Sequence, residues 1–198
     1  MKIYEDLEQG TEEWQLVRLG KFTGSKANDL LMKPSLKGYQ NLIYMLAYER
    51  LTGEPTESYV SEWMQYGTDT EPEARESYMF ETGNEVQQVG FIELDENTGC
   101  SPDGLVNNDG MLEIKCVKWN VQMDYLISQK IPTNYYLQMQ FNLFVSNRQW
   151  CDFYSYHPKL KAFNKRVFQD LEKFREFEER IKQGILDVEN LVERLSYA

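Results

Sequence analysis

An α/β (α+β) fold, a central mixed sheet flanked by helices, is what the order of patterned segments in this 198-residue chain predicts. Three observations carry it. The N-terminal part reads as helix. Three short strand-like runs follow, "VGFIEL", "SPDGLV" and "MLEIKC", separated by the turn-forming "DENTG" and "NNDG". An apolar helix, "IPTNYYLQMQFNLFVSN", then leads to the strand-like "WCDFYSY" and a long terminal helix.

Along the chain, "TGSKANDLLM" offers Thr23 or Ser25 as a helix N-cap. "GYQNLIYMLAYERLTG" is a helix ending at Gly53, with Pro55 helping to stop it. Over residues 60–82, Val60, Met64, Gly67, Glu71, Ala74 and Tyr78 recur at steps of four and three, which puts them on one helical face. Proline is tolerated in a first turn, so Pro72 predicts a break near Gly67 and a restart at Thr68 or Asp69. The three strands read as a β-meander. A helix is expected around 119–128, and the apolar helix should start near Pro132 or Thr133. The last helix is expected from about Pro158 to Gly184. It would turn Phe163, Val167, Leu171, Phe174 and Ile181 inward and the pairs Glu176/Arg180 and Glu178/Lys182 outward. The chain shows no repeat, low-complexity tract or Gly/Ser/Pro-rich linker, so one domain over residues 1–198 is the expectation.

Composition narrows the function. No apolar run is long enough to span a bilayer, and "MKIYEDLEQG" lacks the basic-then-apolar pattern of a secretion signal, so a cytoplasmic location is expected. Cys100, Cys116 and Cys151 show no paired spacing of a zinc or iron–sulfur site and read as free thiols. His157, the single histidine, precedes a proline and reads as structural, which argues against histidine-based acid–base chemistry. The net charge of −11 discourages polyanion binding at first sight. Yet residues 51–100 hold 12 acids and one base, Arg75, while the rest of the chain balances. The other surfaces can therefore still meet a polyanion.

The chemistry concentrates in "CSPDGLVNNDGMLEIKC". Strand alternation puts Glu113 and Lys115 on one face, with Leu112, Ile114 and Cys116 on the other. If 102–106 pairs antiparallel with 111–115, Asp103 approaches them, and Pro102 marks a bulge or strand end. Two carboxylates suit a hard divalent cation such as Mg²⁺, which takes one or two carboxylates plus waters and phosphate oxygens. A neighbouring lysine can stabilise charge developing on an attacked phosphate, as phosphodiester hydrolysis requires. The residues alone leave a second reading open: Asp103 with Gly104 makes a turn, and Glu113 and Lys115 form a solvated strand face.

"SPDGL…LEIK" resembles the PD-(D/E)XK nuclease signature in the form found in the phage λ exonuclease and YqaJ-type viral recombinase family. "WQLVRLGKFTGSKA", "GTDTEPEARESY", "YYLQMQFNLFV" and "WCDFYSYHP" resemble further segments of that family in the same order, so the likeness runs from about Trp14 to Pro158. The resemblance implies a restriction-endonuclease-like core. It implies that Asp103 and Glu113, with the main-chain carbonyl of Ile114, hold Mg²⁺ or Mn²⁺, and that Lys115 positions or activates the attacking water. Glu71 would complete the site and Gln138 would orient groups in it. Arg18 and Ser25 would bind a terminal 5′-phosphate, with Lys33 and Lys37 adding positive charge nearby. The implied activity is 5′-to-3′ digestion of linear double-stranded DNA that leaves 3′ overhangs for recombination, by a homotrimer working with a single-strand annealing protein. A structure-specific endonuclease on the same fold and a non-catalytic DNA-end or protein-binding module are the alternatives. Ser35 stands where the λ-type enzymes have an arginine, and Val117 to Ile131 shows little resemblance.

Overall fold

A computed structural model describes residues 1–56 and 62–196. In chain order the elements are β1 (Lys2–Tyr4), α1 (Glu12–Arg18), β2 (Phe22–Thr23), a 3₁₀ turn (Gly24–Lys26), α2 (Ala27–Leu31), α3 (Lys37–Thr52) and α4 (Glu62–Thr82). There follow β3 (Val86–Gln87), β4 (Phe91–Asp95), β5 (Thr98–Cys100), β6 (Gly104–Val106), β7 (Gly110–Cys116), α5 (Trp119–Ser128) and α6 (Thr133–Ser146). The chain finishes with β8 (Trp150–Tyr156), β9 (Phe163–Phe168) and α7 (Leu171–Ser196).

The strands form a five-stranded sheet in the order β3-β6-β7-β8-β9 and a four-stranded sheet in the order β1-β4-β5-β2. β7 and β8 run parallel, from Gly110 opposite Trp150 to Cys116 opposite Tyr156, and α5 and α6 make the crossover that a parallel pair needs. The other neighbours in the five-stranded sheet are antiparallel. Leu112 and Ile114 face α4 and pack with Ala74, Tyr78, Val106 and Tyr154. Met111 faces the larger core, built with Phe141, Leu143 and Phe177. The mixed α/β fold is thus the one the segment order predicts.

Several local expectations hold. α3 ends at Gly53, whose φ of 70° is the left-handed conformation that glycine adopts without strain. α5, α6 and β8 start and stop where the pattern puts them. Neither Thr23 nor Ser25 caps a helix with its side chain; a 3₁₀ turn precedes α2 instead.

Four expectations are corrected. The three-strand meander is two hairpins in two sheets: β4 pairs with β5 across the "DENTG" turn, while β6 pairs with β7. α4 runs unbroken through Pro72, because burial of Ala74 and Tyr78 against the sheet outweighs the proline's roughly 3 kcal/mol penalty. Val60, assigned to the same face, lies outside the described residues. The helix expected from Pro158 is a strand, β9, followed by α7. Phe163 and Val167 do point inward, but residues four apart share a face under a period of two as well as 3.6, and the open edge of β8 decides for the strand. Glu178/Lys182 pair as expected, whereas Arg180 donates to the carbonyls of Leu30 and Met32, and Glu176 is bonded by Lys173. Among the described residues, no helix is long and apolar enough to cross a membrane.

Candidate active site

β6 ends its pairing with β7 at Gly104 opposite Leu112, so beyond that point one edge of β7 is open. Asp103 sits at this opening and accepts the Ile114 N–H on Oδ2 at 2.6 Å. It takes the ladder position the strand has vacated, the strand end that Pro102 signals. In an extended strand a residue's N–H and C=O face the same side, so the Ile114 carbonyl lies on the edge that Asp103 faces.

On the adjoining position of β7, Glu113 points the other way, under α6, and is fully buried. Its Oε1 accepts Lys115 Nζ at 2.5 Å and Gln138 Nε2 at 2.6 Å, and Asn142 Nδ2 lies 3.4 Å from Oε2. Gln138 and Asn142 are one helical turn apart on α6, so both amides reach the same carboxylate. Burial, against the pull of Lys115 and with the charges of Asp103 and Glu71 added, pushes the Glu113 carboxyl up to about 7. Burial works against the Lys115 ammonium, but the Glu113 and Asp103 carboxylates outweigh it and raise its pKa. Lys115 also lies 5.2 Å from the centre of the Tyr135 ring.

Glu71 comes from α4, on the opposite side of β7. Burial and the Asp103 charge push its carboxyl up to about 7, although Arg75 and Lys115 pull the other way. Arg75, one turn further on, forms an ion pair with Glu71 through Nη2 and donates Nε to the Asp103 carbonyl at 3.3 Å. With the Gln88 amide oxygen turned toward it, Arg75 reaches that oxygen at 3.0 Å through Nη1. One guanidinium thus ties α4 to the residue that opens the β7 edge.

Glu71, Arg75 and Asp103 line a cleft of about 690 Å³ together with Trp14 and the acidic N-terminal loop of Glu5, Asp6 and Glu8. Glu113 does not line it; it sits behind Asp103. Of the residues picked out from the sequence, Asp103 and Glu71 line the cleft, while Glu113, Lys115 and Gln138 are joined to one another by hydrogen bonds on the other face of β7. Arg18 lies over the Trp14 ring, 3.8 Å from its centre, and burial pushes its guanidinium down to about 10. Trp14 lines the cleft and is half-buried, its Nε1 bonded to the Gly90 carbonyl and Ser101 Oγ, whereas Arg18 does not itself line the cleft and has Glu49 and Cys100 as its charge neighbours. Ser25 is exposed, with Oγ 3.4 Å from Thr23 Oγ1. Its neighbour Gly24 lies directly against Asn142 and near the Gln138 carbonyl, which seats the "FTGS" segment on α6. Lys33 and Lys37 are exposed and form no ion pair with the described residues. The sequence reading assigns Asn142 and Arg75 no role. The usable signals were position four after Gln138 for the first, and four after Glu71 in an otherwise acidic block for the second.

Among the described residues, no three carboxylate, thiol or imidazole side chains converge into an all-protein cage. A magnesium-type cation does not need one: two carboxylates and a carbonyl, all hard oxygen donors, fit its chemistry with water and phosphate oxygens completing the shell. Asp103, Glu113 and the Ile114 carbonyl offer such donors, and burial together with the neighbouring carboxylates raises Glu71 and Glu113 despite Arg75 and Lys115.

Comparison with known proteins gives the family and the fold. The YqaJ-like viral recombinase domain matches residues 13–149. The crystal structure of an alkaline exonuclease, LHK-Exo, from Laribacter hongkongensis is 36% identical, with a TM-score of 0.87, covering 94% of this chain and 97% of that one. The same enzyme in complex with dAMP superposes with a TM-score of 0.88 at the same identity and coverage. A phage-related exonuclease from Haemophilus somnus 129PT shares the fold at 14% identity, TM-score 0.68, covering 88% of this chain and 96% of that one. No curated protein sequence matches.

Proposed function

The chain belongs to the family of YqaJ-like viral recombinase domains, and from that premise we propose that it is a divalent-metal-dependent exonuclease, one nuclease domain over residues 1–198, acting on the ends of linear double-stranded DNA. It digests the 5′ strand and leaves a 3′ single-stranded overhang for recombination. The observation that carries the reading is that Asp103, Glu113 and Lys115 of the β6–β7 hairpin are electrostatically coupled with Glu71 of α4 beside the open edge of β7. A wet strand face, the plain alternative, is incompatible with a fully buried Glu113.

Asp103, Glu113 and the Ile114 carbonyl would hold Mg²⁺, with Mn²⁺ as a substitute, and Glu71 stands beside them for a second ion. When bound, the metal supplies Lewis acidity at the phosphate and charge stabilisation on the attacking and leaving oxygens. Gln138 and Asn142 keep the Glu113 carboxylate aimed. Lys115, bonded to Glu113, would position or activate the attacking water and offset developing negative charge. Arg75 holds Glu71 and the Asp103 main chain at a fixed separation. Arg18, stacked on Trp14, takes the terminal 5′-phosphate, with Ser25 adding a hydroxyl and Lys33 and Lys37 long-range attraction. Assembly as a homotrimer, a single-strand annealing partner and action in the cytoplasm belong to the same proposal.

The test is nucleotide release from blunt linear duplex, with or without a 5′-phosphate, in Mg²⁺ or Mn²⁺. Release is expected from the wild-type protein, about 10²–10⁴-fold slower from Lys115→Ala, and Arg18→Ala should lose the preference for the phosphorylated end. No release with either ion, or equal release by Lys115→Ala, overturns the reading. Cleavage of closed circular DNA would assign an endonuclease instead.

A further inference from the structure

An open pocket of about 520 Å³ lies between the start of α4 and α5, outside the catalytic cluster, walled by Tyr66, Trp119, Met123, His157, Pro158 and Lys159. We propose that it is a stacking site for a base of the single-stranded DNA next to the scissile end, with Trp119 as platform and Lys118 and Lys159 meeting the adjoining phosphates. This inference rests on the nuclease reading above and adds a strand-binding site to it.

Three observations support that occupant. Trp119 is 64% exposed and Met123 44%, although each is large and apolar, and Trp63 beside them is 53% exposed. An aromatic face left in water is what base stacking uses, because every base offers a π-face. The charge around it is also right for a polyanion. Lys159 lines the pocket, Lys118 lies over the Trp63 ring at 3.9 Å, and no carboxylate is among the lining residues described. Positive charge without a carboxylate among the described lining residues complements a phosphate backbone, which favours nucleic acid over a protein partner. The turn that presents Lys159 is held by its own N–H donating to His157 Nδ1 at 3.2 Å, which gives the single histidine a structural task.

Position is the third observation. Trp119 opens α5 four residues after Lys115, a reach of no more than roughly 14 Å along extended chain. Tyr66 precedes Glu71 on α4 by five residues, about 7.5 Å of helix rise. The pocket is therefore attached to both elements that carry the catalytic side chains, within roughly four nucleotides of them at 3.4 Å each.

Of the four tryptophans, Trp150 is buried and Trp14 half-buried, so quenching of tryptophan emission reports mainly on Trp63 and Trp119. The experiment titrates the full-length protein with an oligothymidylate of about ten nucleotides, with EDTA present, and follows emission and anisotropy. In parallel it measures nucleotide release from linear duplex in Mg²⁺ and the oligomer mass. Quenching by the oligonucleotide is expected. Trp119→Ala should weaken binding by about tenfold, the effect of removing one stacked base, and Trp119→Phe should restore most of it. Lys159→Glu should weaken binding and flatten its salt dependence. Binding by Trp119→Ala within about twofold of wild type overturns the proposal, as does a wild-type protein that digests duplex but does not bind the oligonucleotide. In both cases the nuclease reading stands on the release assay. If Trp119→Ala changes the oligomer mass and leaves binding intact, the patch is a protein interface and the proposal is wrong.

Discussion

Replacing Gly24 by alanine tests the link between the N-terminal segment and the catalytic carboxylate. A Cβ at this position overlaps Asn142 Oδ1, lies 3.1 Å from Asn142 Cγ and meets the Gln138 carbonyl at 3.4 Å. The Gly24 backbone is in no left-handed conformation, so the effect is steric. Asn142 cannot turn away freely, because it is buried and its amide faces Glu113. Restoring ordinary contact requires a shift on the order of 1 Å in the 3₁₀ turn or in α6. Overpacking of this kind costs about 1–3 kcal/mol, partly offset by the 0.4–1 kcal/mol that Gly→Ala gains from a less flexible unfolded chain. A net loss of about 1–2 kcal/mol corresponds to roughly 2–8 °C in Tm for a chain of this size. The same shift moves the donors on Glu113 and the Ser25 segment, and misplacement by about 1 Å can lower turnover by about 10²-fold. Thermal unfolding and the rate of nucleotide release from linear duplex are the readouts. Adding Asn142→Ala removes the overlapping atoms, so the double variant should be less destabilised than the sum of the two single changes. An unchanged Tm and turnover in Gly24→Ala, or strict additivity with Asn142→Ala, would refute the reasoning.

Three further outcomes are expected. Arg75→Lys keeps a positive charge but cannot bond Glu71 and the Asp103 carbonyl at once, so turnover should fall about tenfold or more, with a weaker response to Mg²⁺, in a metal titration of activity. Glu71 and Glu113 carry folded-state pKa values above their unfolded ones, so the folded metal-free protein binds the extra protons and should lose stability as pH rises from about 4.5 through about 7. Added Mg²⁺ should restore stability at the alkaline end, and calorimetry across pH 5 to 8 with and without the ion checks both signs. Asp152 is buried and accepts Tyr78 Oη at 2.8 Å and Arg166 Nε and Nη2 at 2.8 and 2.9 Å, so Asp152→Ala strands three donor groups on two residues. Arg166 is partly open to water, so the loss should be about 1–3 kcal/mol by denaturant unfolding, still more than Glu178→Ala at the exposed pair with Lys182.

How much was legible in the chain depends on the range of the interaction. The end of α3 at Gly53 and the strand end at Pro102 are local properties of single residues, and they were read correctly. Asp103, Glu113 and Lys115 sit within one hairpin, so strand alternation and the pairing of its two arms bring them together. β9 was misread because Phe163 and Val167 suit either period and its state was decided by β8, a partner the local pattern does not contain. The roles of Asn142 and Arg75 were hidden for the same reason, since each acts on a carboxylate or carbonyl of another element.

By itself, then, the sequence determined the α/β order of elements, the acid–acid–lysine hairpin and the family, all of which live in residue identity and spacing along one strand or helix. Only the tertiary structure decided that Glu113 is fully buried under α6, that Glu71 arrives from the opposite face of β7, and that Gly24 seats the Arg18–Ser25 segment on Asn142. The physical reason is that burial and electrostatic coupling depend on distances between elements. Those distances are set by how the helices and the sheet pack, which no single stretch of chain encodes.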